Sequence, residues 1–150
     1  MTGPDDWGDK PVPAVDPESA PFWDAAADGR LVAQRCEDCG EHQLYPRRLC
    51  RHCWSRDLAV VDLPGTGTLY SYTECHVAGQ PGYEADVPYA VALVDLDLPA
   101  PNPSGRPIHL TTHVVDADPE DLVLDDSVTV AFRQVSTDPE IHLPVFEIEA

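Results

Sequence analysis

The chain has 150 residues, 43% of them apolar, and its 27 acidic against 9 basic side chains leave a formal net charge of −18 at neutral pH. A field of that sign repels polyanions, which argues against nucleic acid gripped through its phosphates and against anionic membrane surfaces. The length suits one domain with a small appendage, and the apolar content is enough for a core, so wholesale disorder is excluded as well.

Residues 1–19 hold Pro4, Pro11, Pro13 and Pro17 among scattered acids without apolar periodicity, and are expected as a disordered or extended tail. No apolar h-region stands near the N-terminus, and no window nears the roughly 18 consecutive apolar residues of a membrane span. A soluble, cytoplasmic protein is expected. The run from Ser19 to Gly29 predicts a short helix over about 20–28, with Ser19 as cap, Pro21 in the first turn and Gly29 at the stop. Such a helix falls short of the roughly 12 residues that an isolated one needs, so it must pack on the body or on a partner.

The next segment departs from the acidic background. Residues 30–56 carry Arg30, Arg35, Arg47, Arg48, Arg51 and Arg56 against three acids, a balance of +3, which leaves −21 on the rest. Within it stand Cys36-x2-Cys39 and Cys50-x2-Cys53, ten residues apart. Two such knuckles bring four thiolates to the corners of a tetrahedron around one Zn²⁺, and four protein ligands leave no open position, so the metal is expected to be structural. Iron in a rubredoxin-like site is the minor alternative. Gly40 supplies the permissive backbone that the first turn needs. With the ligand shell filled by sulfur, His42 and His52 are expected at the surface or just outside the metal shell. In a reducing compartment the five cysteines are not read as a disulfide framework.

After the knuckles the pattern is β throughout: strands are predicted at 65–77, 89–98, 108–115 and 127–135, with a short closing strand at 144–150. Between them lie a Gly/Pro loop at 79–88, a proline cluster at 99–107 and an acidic connection at 116–126. The expected fold is mainly β, an N-terminal helix and rubredoxin-like zinc ribbon followed by a five-stranded OB-fold barrel, with a sandwich as runner-up. The expected division is 1–19 tail, 20–57 helix and ribbon, 58–150 barrel.

Few motifs carry chemistry. Gly65-Thr66-Gly67 enters a strand and lacks the Lys-Ser/Thr of a phosphate loop, so it reads as a strand-entry turn. Cys75 and His76 are neighbours in a strand and point to opposite faces, and Cys75 is expected as a packed thiol. His109 and His113 share a face but stand roughly 13 Å apart along it, too far for one metal. Asp95 and Asp97 also share a face and read as solvated strand-end acids. With no nucleophile, base and orienting group together, binding is the default expectation.

These residues also carry a resemblance. Phe22-Trp23, Cys36 to Gly40, Tyr45 to Arg47, Cys50 to Cys53, Gly65 to Thr68 and Pro88-Tyr89 together resemble the zinc-ribbon plus OB-fold family first catalogued as a domain of unknown function and later associated with acyl-CoA enzymes. The match runs over about residues 20–98; beyond it the proline cluster and Leu124 to Val128 depart from the family pattern. The resemblance implies a non-catalytic accessory subunit of a thiolase-superfamily complex acting on acyl-CoA thioesters, above all a retro-aldolase that cleaves steroid-CoA side chains. The alternatives are a thiolase, acyltransferase or enoyl-CoA hydratase complex and, from another class, a single-stranded nucleic-acid-binding protein. A free-standing enzyme with Cys75 as nucleophile is a third. Under the first reading Phe22 and Trp23 are expected as anchors in a partner groove. Arg35, Arg47, Arg48 and Arg51 are expected to contact CoA phosphates or acids of the partner.

Overall fold

The computed structural model describes residues 4–149. Helix α1 (Ala20–Ala27) begins after a reciprocal turn in which the Ser19 N–H donates to the Asp16 carboxylate (2.8 Å) and the Asp16 N–H to the Ser19 hydroxyl (3.1 Å). Ser19 itself makes no side-chain cap to the helix. The chain leaves the helix through Gly29, whose φ of +76° suits a residue without a Cβ.

A three-stranded antiparallel sheet follows, built from β1 (Val32–Cys36), β2 (His42–Gln43) and β3 (Leu58–Asp62) in the order β2-β1-β3. All five residues of β3 pair with β1, from Val32 opposite Asp62 to Cys36 opposite Leu58. The boundary expected at residues 57–58 thus falls at the start of a strand that belongs by its pairing to the ribbon sheet.

The closed barrel is β4 (Thr66–Cys75), β5 (Tyr89–Leu96), β6 (His109–Val115), β7 (Ser127–Thr137) and β8 (Glu140–Ile148), in the order β4-β5-β6-β8-β7. This is the five-stranded OB arrangement, and every expected strand is present. The closing strand is longer than expected: β8 starts at Glu140 and forms a long hairpin with β7, because Glu140 to Leu143 also find partners there. Alternation is clean on β5, where Ala90, Ala92, Val94 and Leu96 point inward. The parallel contact of β6 with β8 is confined to Val114 opposite Phe146 and Val115 opposite Glu147.

One hydrophobic core runs from α1 through the ribbon into the barrel, joining Phe22, Ala25, Val32 and Leu44 to Leu69, Val94, Val128 and Phe146. A smaller cluster holds the N-terminal segment. Trp7 is only 6% exposed, packed with Val135 and Ile141, and Lys10 bridges to Asp86 (2.6 Å) above the rings of Trp7 and Tyr83. Gly82 makes room for this arm, since a Cβ there would lie 2.6 Å from the Lys10 nitrogen. The stretch expected as a tail is therefore anchored at Trp7 and Lys10; a single tryptophan among prolines has no periodicity to announce it. Residues 1–3 of that expectation and Ala150 of the closing strand lie outside the described residues.

Candidate metal centre and the arginine surface

β1 delivers Cys36 at its last residue, and Gly40 (φ +81°) turns the chain back into β2. The second knuckle closes at Cys53, followed by Trp54 with φ +68°. The four Sγ atoms of Cys36, Cys39, Cys50 and Cys53 all lie within 4.8 Å of one another, with Cys36–Cys53 at 3.5 Å and Cys39–Cys50 at 3.6 Å. Four sulfurs about 2.3 Å from a central Zn²⁺ stand about 3.8 Å apart, so the donor set fits a tetrahedral zinc. Backbone N–H groups of Cys39 and His52 point at the sulfurs of Cys36 and Cys50 (3.4 and 3.3 Å) and stabilise thiolate charge.

The thiols differ in their ease of ionisation. Burial pushes the Cys39 thiol up to about 12. Burial also opposes ionisation of Cys36, but the backbone N–H groups of Cys39 and Asp38 outweigh it and bring that thiol down to about 7. A metal ion bound by all four sulfurs would displace the remaining thiol protons.

The histidines divide. His52 is exposed as expected, whereas His42 is 3% exposed. Its backbone N–H (2.7 Å) and ring Nδ1–H (2.8 Å) both donate to Asn102 Oδ1 in the β5–β6 loop. This corrects the surface reading for His42, which is a junction residue between ribbon and barrel. Beside it Glu41 accepts from the Ser104 N–H (2.6 Å) and hydroxyl (3.1 Å), and the Tyr45 hydroxyl accepts from the Thr111 N–H (2.9 Å) on β6.

Phe22 is 7% exposed and packs into the chain's own core: α1 is too short to stand alone, and the barrel's β8 meets its apolar face. Trp23, edge-on to Phe22 at 5.1 Å, stays partly exposed and lines an apolar cavity of about 380 Å³ with Tyr45, Leu110, Leu143 and Pro144.

Of the arginines, Arg35 pairs with Glu37 (3.6 Å), Arg48 with Glu18 and Arg30 with Asp62 (2.6 Å). Arg47 and Arg51 have no acid partner among the described residues and border a shallow groove of about 360 Å³ with Arg48 and Trp54. Trp54, at 76% exposure, was not singled out by its sequence; the available signal was an aromatic directly after the second knuckle, in the turn before β3.

Elsewhere, His109 stacks on Tyr70 (4.4 Å), Asp97 accepts from the Thr66 hydroxyl (2.5 Å) and Cys75 is half-buried. Burial lowers the pKa of His113 on β6, whose Nδ1–H donates to the Ala90 carbonyl (3.2 Å). Among the described residues no helix is long and apolar enough to cross a membrane.

Residues 23–59 match the family described as ChsH2, rubredoxin-like zinc ribbon domain, and residues 60–133 the one described as ChsH2, C-terminal OB-fold domain. A solved structure of the Ltp2-ChsH2(DUF35) aldolase superposes with a TM-score of 0.72 at 35% identity, covering 91% of this chain and 98% of that one. The Probable enoyl-CoA hydratase alpha subunit of Thermomonospora curvata is 35% identical over 137 residues, 91% of this chain but 39% of its own length. Benzoylsuccinyl-CoA thiolase subunit BbsA of Thauera aromatica is 36% identical over 76 residues, 49% of this chain and 51% of its own. The chain thus spans well under two thirds of those two relatives. A DUF35 domain-containing scaffold protein of Methanocaldococcus jannaschii is 29% identical over 109 residues, 72% of this chain and 71% of its own.

Proposed function

Since the chain belongs to the ChsH2 family of rubredoxin-like zinc ribbons joined to OB-fold domains, we propose that it is a non-catalytic accessory subunit of a thiolase-superfamily complex acting on acyl-CoA thioesters. The reaction is retro-aldol cleavage of a steroid-CoA side chain, in the cytoplasm. The observation that carries this reading is the likeness to the Ltp2-ChsH2(DUF35) aldolase over nearly the whole of that chain.

In this role the chain's residues hold and orient. Cys36, Cys39, Cys50 and Cys53 bind a structural Zn²⁺, which cross-links the two knuckles so that the arginine-bearing turn keeps one shape. Arg35, Arg47, Arg48 and Arg51 contact CoA phosphates or acids of the partner, and Arg47 and Arg51 are the better placed because no acid among the described residues pairs with them. Trp23, rather than Phe22, and Trp54 are the aromatic surfaces offered to the partner. The acyl group and the reacting atoms belong to the thiolase-like subunit.

A thiolase or hydratase complex is the second reading, favoured by the names of the Thauera and Thermomonospora relatives. The nucleic-acid reading has less support, because Arg106 and Arg133 are the only cationic residues after position 56.

Co-expression with a thiolase-like protein from the same source tests the proposal. A stable hetero-oligomer that converts a β-hydroxyacyl-CoA into a carbonyl compound and a shorter acyl-CoA is the expected result. If the two purify apart and the thiolase-like protein alone is fully active, the proposal fails; condensation or hydration in place of cleavage transfers it to the second reading.

A further inference from the structure

The ribbon sheet ends in a bare edge. In the order β2-β1-β3, strand β3 (Leu58–Asp62) pairs with β1 on one side and with no strand of the described residues on the other. We propose that this edge joins the β3 edge of a second copy of the chain, antiparallel about a two-fold axis at Val60. The inference goes beyond the accessory role proposed above and does not depend on it.

Register decides which backbone groups are free. The Leu63 N–H donates to the Leu31 carbonyl (2.8 Å) and the Glu37 N–H to the Asp57 carbonyl (2.8 Å), so Ala59 and Val61 are the residues of β3 whose backbone groups face β1. Leu58, Val60 and Asp62 turn theirs outward. The Leu58 N–H folds back to the Arg56 carbonyl (3.1 Å), but among the described residues the backbone groups of Val60 and Asp62 find no partner. The strand also lacks what usually blunts a natural edge: Leu58-Ala59-Val60-Val61-Asp62 has no lysine, no proline and no shift of register. Val60, at its centre, is 51% exposed. The one charge, on Asp62, is met by Arg30 (2.6 Å).

This strand is its own complement. A two-fold axis at Val60 sets Val60 opposite its counterpart and Leu58 opposite the second copy's Asp62, so every outward-facing residue meets another. A slip of one residue would set outward groups against inward ones.

Charge points to the same occupant. Before Leu58 the chain comes from the second knuckle, where Arg47, Arg51 and Arg56 have no acid partner among the described residues. After Asp62 it enters the barrel, where Asp97 accepts from the Thr66 hydroxyl and Asp95 lies opposite Thr68. Antiparallel pairing sets the arginine end of each copy beside the acidic end of the other, with Arg56 diagonally next to the second copy's Asp62. Parallel pairing would set arginines against arginines.

Sedimentation velocity of the zinc-loaded full chain at physiological salt tests this. Five residues of edge make a small interface, so a monomer–dimer equilibrium near about 100 µM is expected, with no larger species because a two-fold contact closes on itself. Val60→Pro deletes an outward donor that β1 does not use, and Val60→Lys charges the centre of the contact; each should weaken dimerisation about tenfold or more. Arg56→Glu should weaken it about tenfold, and Val77→Lys, beyond the far end of β4, should leave it unchanged. Hydrogen exchange reads the edge directly: the Val60 and Asp62 amides should gain protection as concentration rises, while those of Ala59 and Val61 stay protected throughout, in Val60→Lys as well. A chain that stays monomeric at about 500 µM overturns the proposal, as does a dimer indifferent to Val60→Lys and Arg56→Glu, or assembly past the dimer. Protection of the Val60 amide only in the hetero-oligomer with the thiolase-like protein gives the edge to that subunit; the pairing of copies then fails while the accessory role stands.

Discussion

At Gly67 a single hydrogen decides whether β4 and β5 can meet. A Cβ there would collide with the Asp95 carbonyl oxygen and lie 2.8 Å from Val94 Cγ1, both held by the barrel ladder. Gly67→Ala should cost about 1–3 kcal/mol in denaturant titrations, while Gly79→Ala, in open space, should be near neutral. The strand-entry reading of Gly65-Thr66-Gly67 was legible, because turn chemistry is local; the close approach behind it was not, since Asp95 lies on another strand. His113 makes a second residue-scale prediction. Burial holds its pKa below the ordinary 6.5, so the unfolded chain takes up a proton at a higher pH than the folded one. Its contribution is complete above about pH 6.5 and is lost as the pH falls through the lowered value. The melting temperature should drop between pH 7.5 and 5.5, and His113→Phe should flatten that drop.

Among the elements, the ribbon depends on metal and the barrel on packing. Removal of zinc by a chelator, or Cys39→Ser, should abolish hydrogen-exchange protection in β1–β3 while the inner residues of β4–β8 keep theirs. Because thiolates bind the metal, zinc affinity should fall as the pH is lowered. The knuckle spacing announced the metal site but not the three strands that carry it, and the boundary expected at 57–58 cut β3 from its sheet. The N-terminal arm was opaque, for its anchor is one ring inserted between Val135 and Ile141. Trp7→Ala should cost about 3 kcal/mol, toward the lower end for a buried tryptophan because the cluster is small, and should expose residues 4–16 to proteolysis. A variant as stable and as resistant as the unaltered chain would mean that the arm contributes nothing.

For the whole molecule, the charge of −18 is unevenly distributed: Arg30, Arg35 and Arg48 pair with acids of the chain, while Arg47, Arg51 and Arg106 have no ion-pair partner among the described residues. Single-stranded DNA should give no gel shift at physiological salt, since the barrel presents too few cations to release a strand's counterions. A salt-sensitive shift would restore the nucleic-acid reading.

By itself the sequence determined the zinc knuckles, the five barrel strands and the family, because each is written in short-range spacing: two residues between cysteines, period two along strands, glycine where a turn needs it. The tertiary structure alone decided which marked side chains face inward. Phe22 joins the core because β8 lies beneath α1, and Trp54, in the turn after the second knuckle, stays exposed. His42 is buried because Asn102, sixty residues away, accepts both of its protons. Burial depends on contacts between distant residues, and no local pattern encodes them.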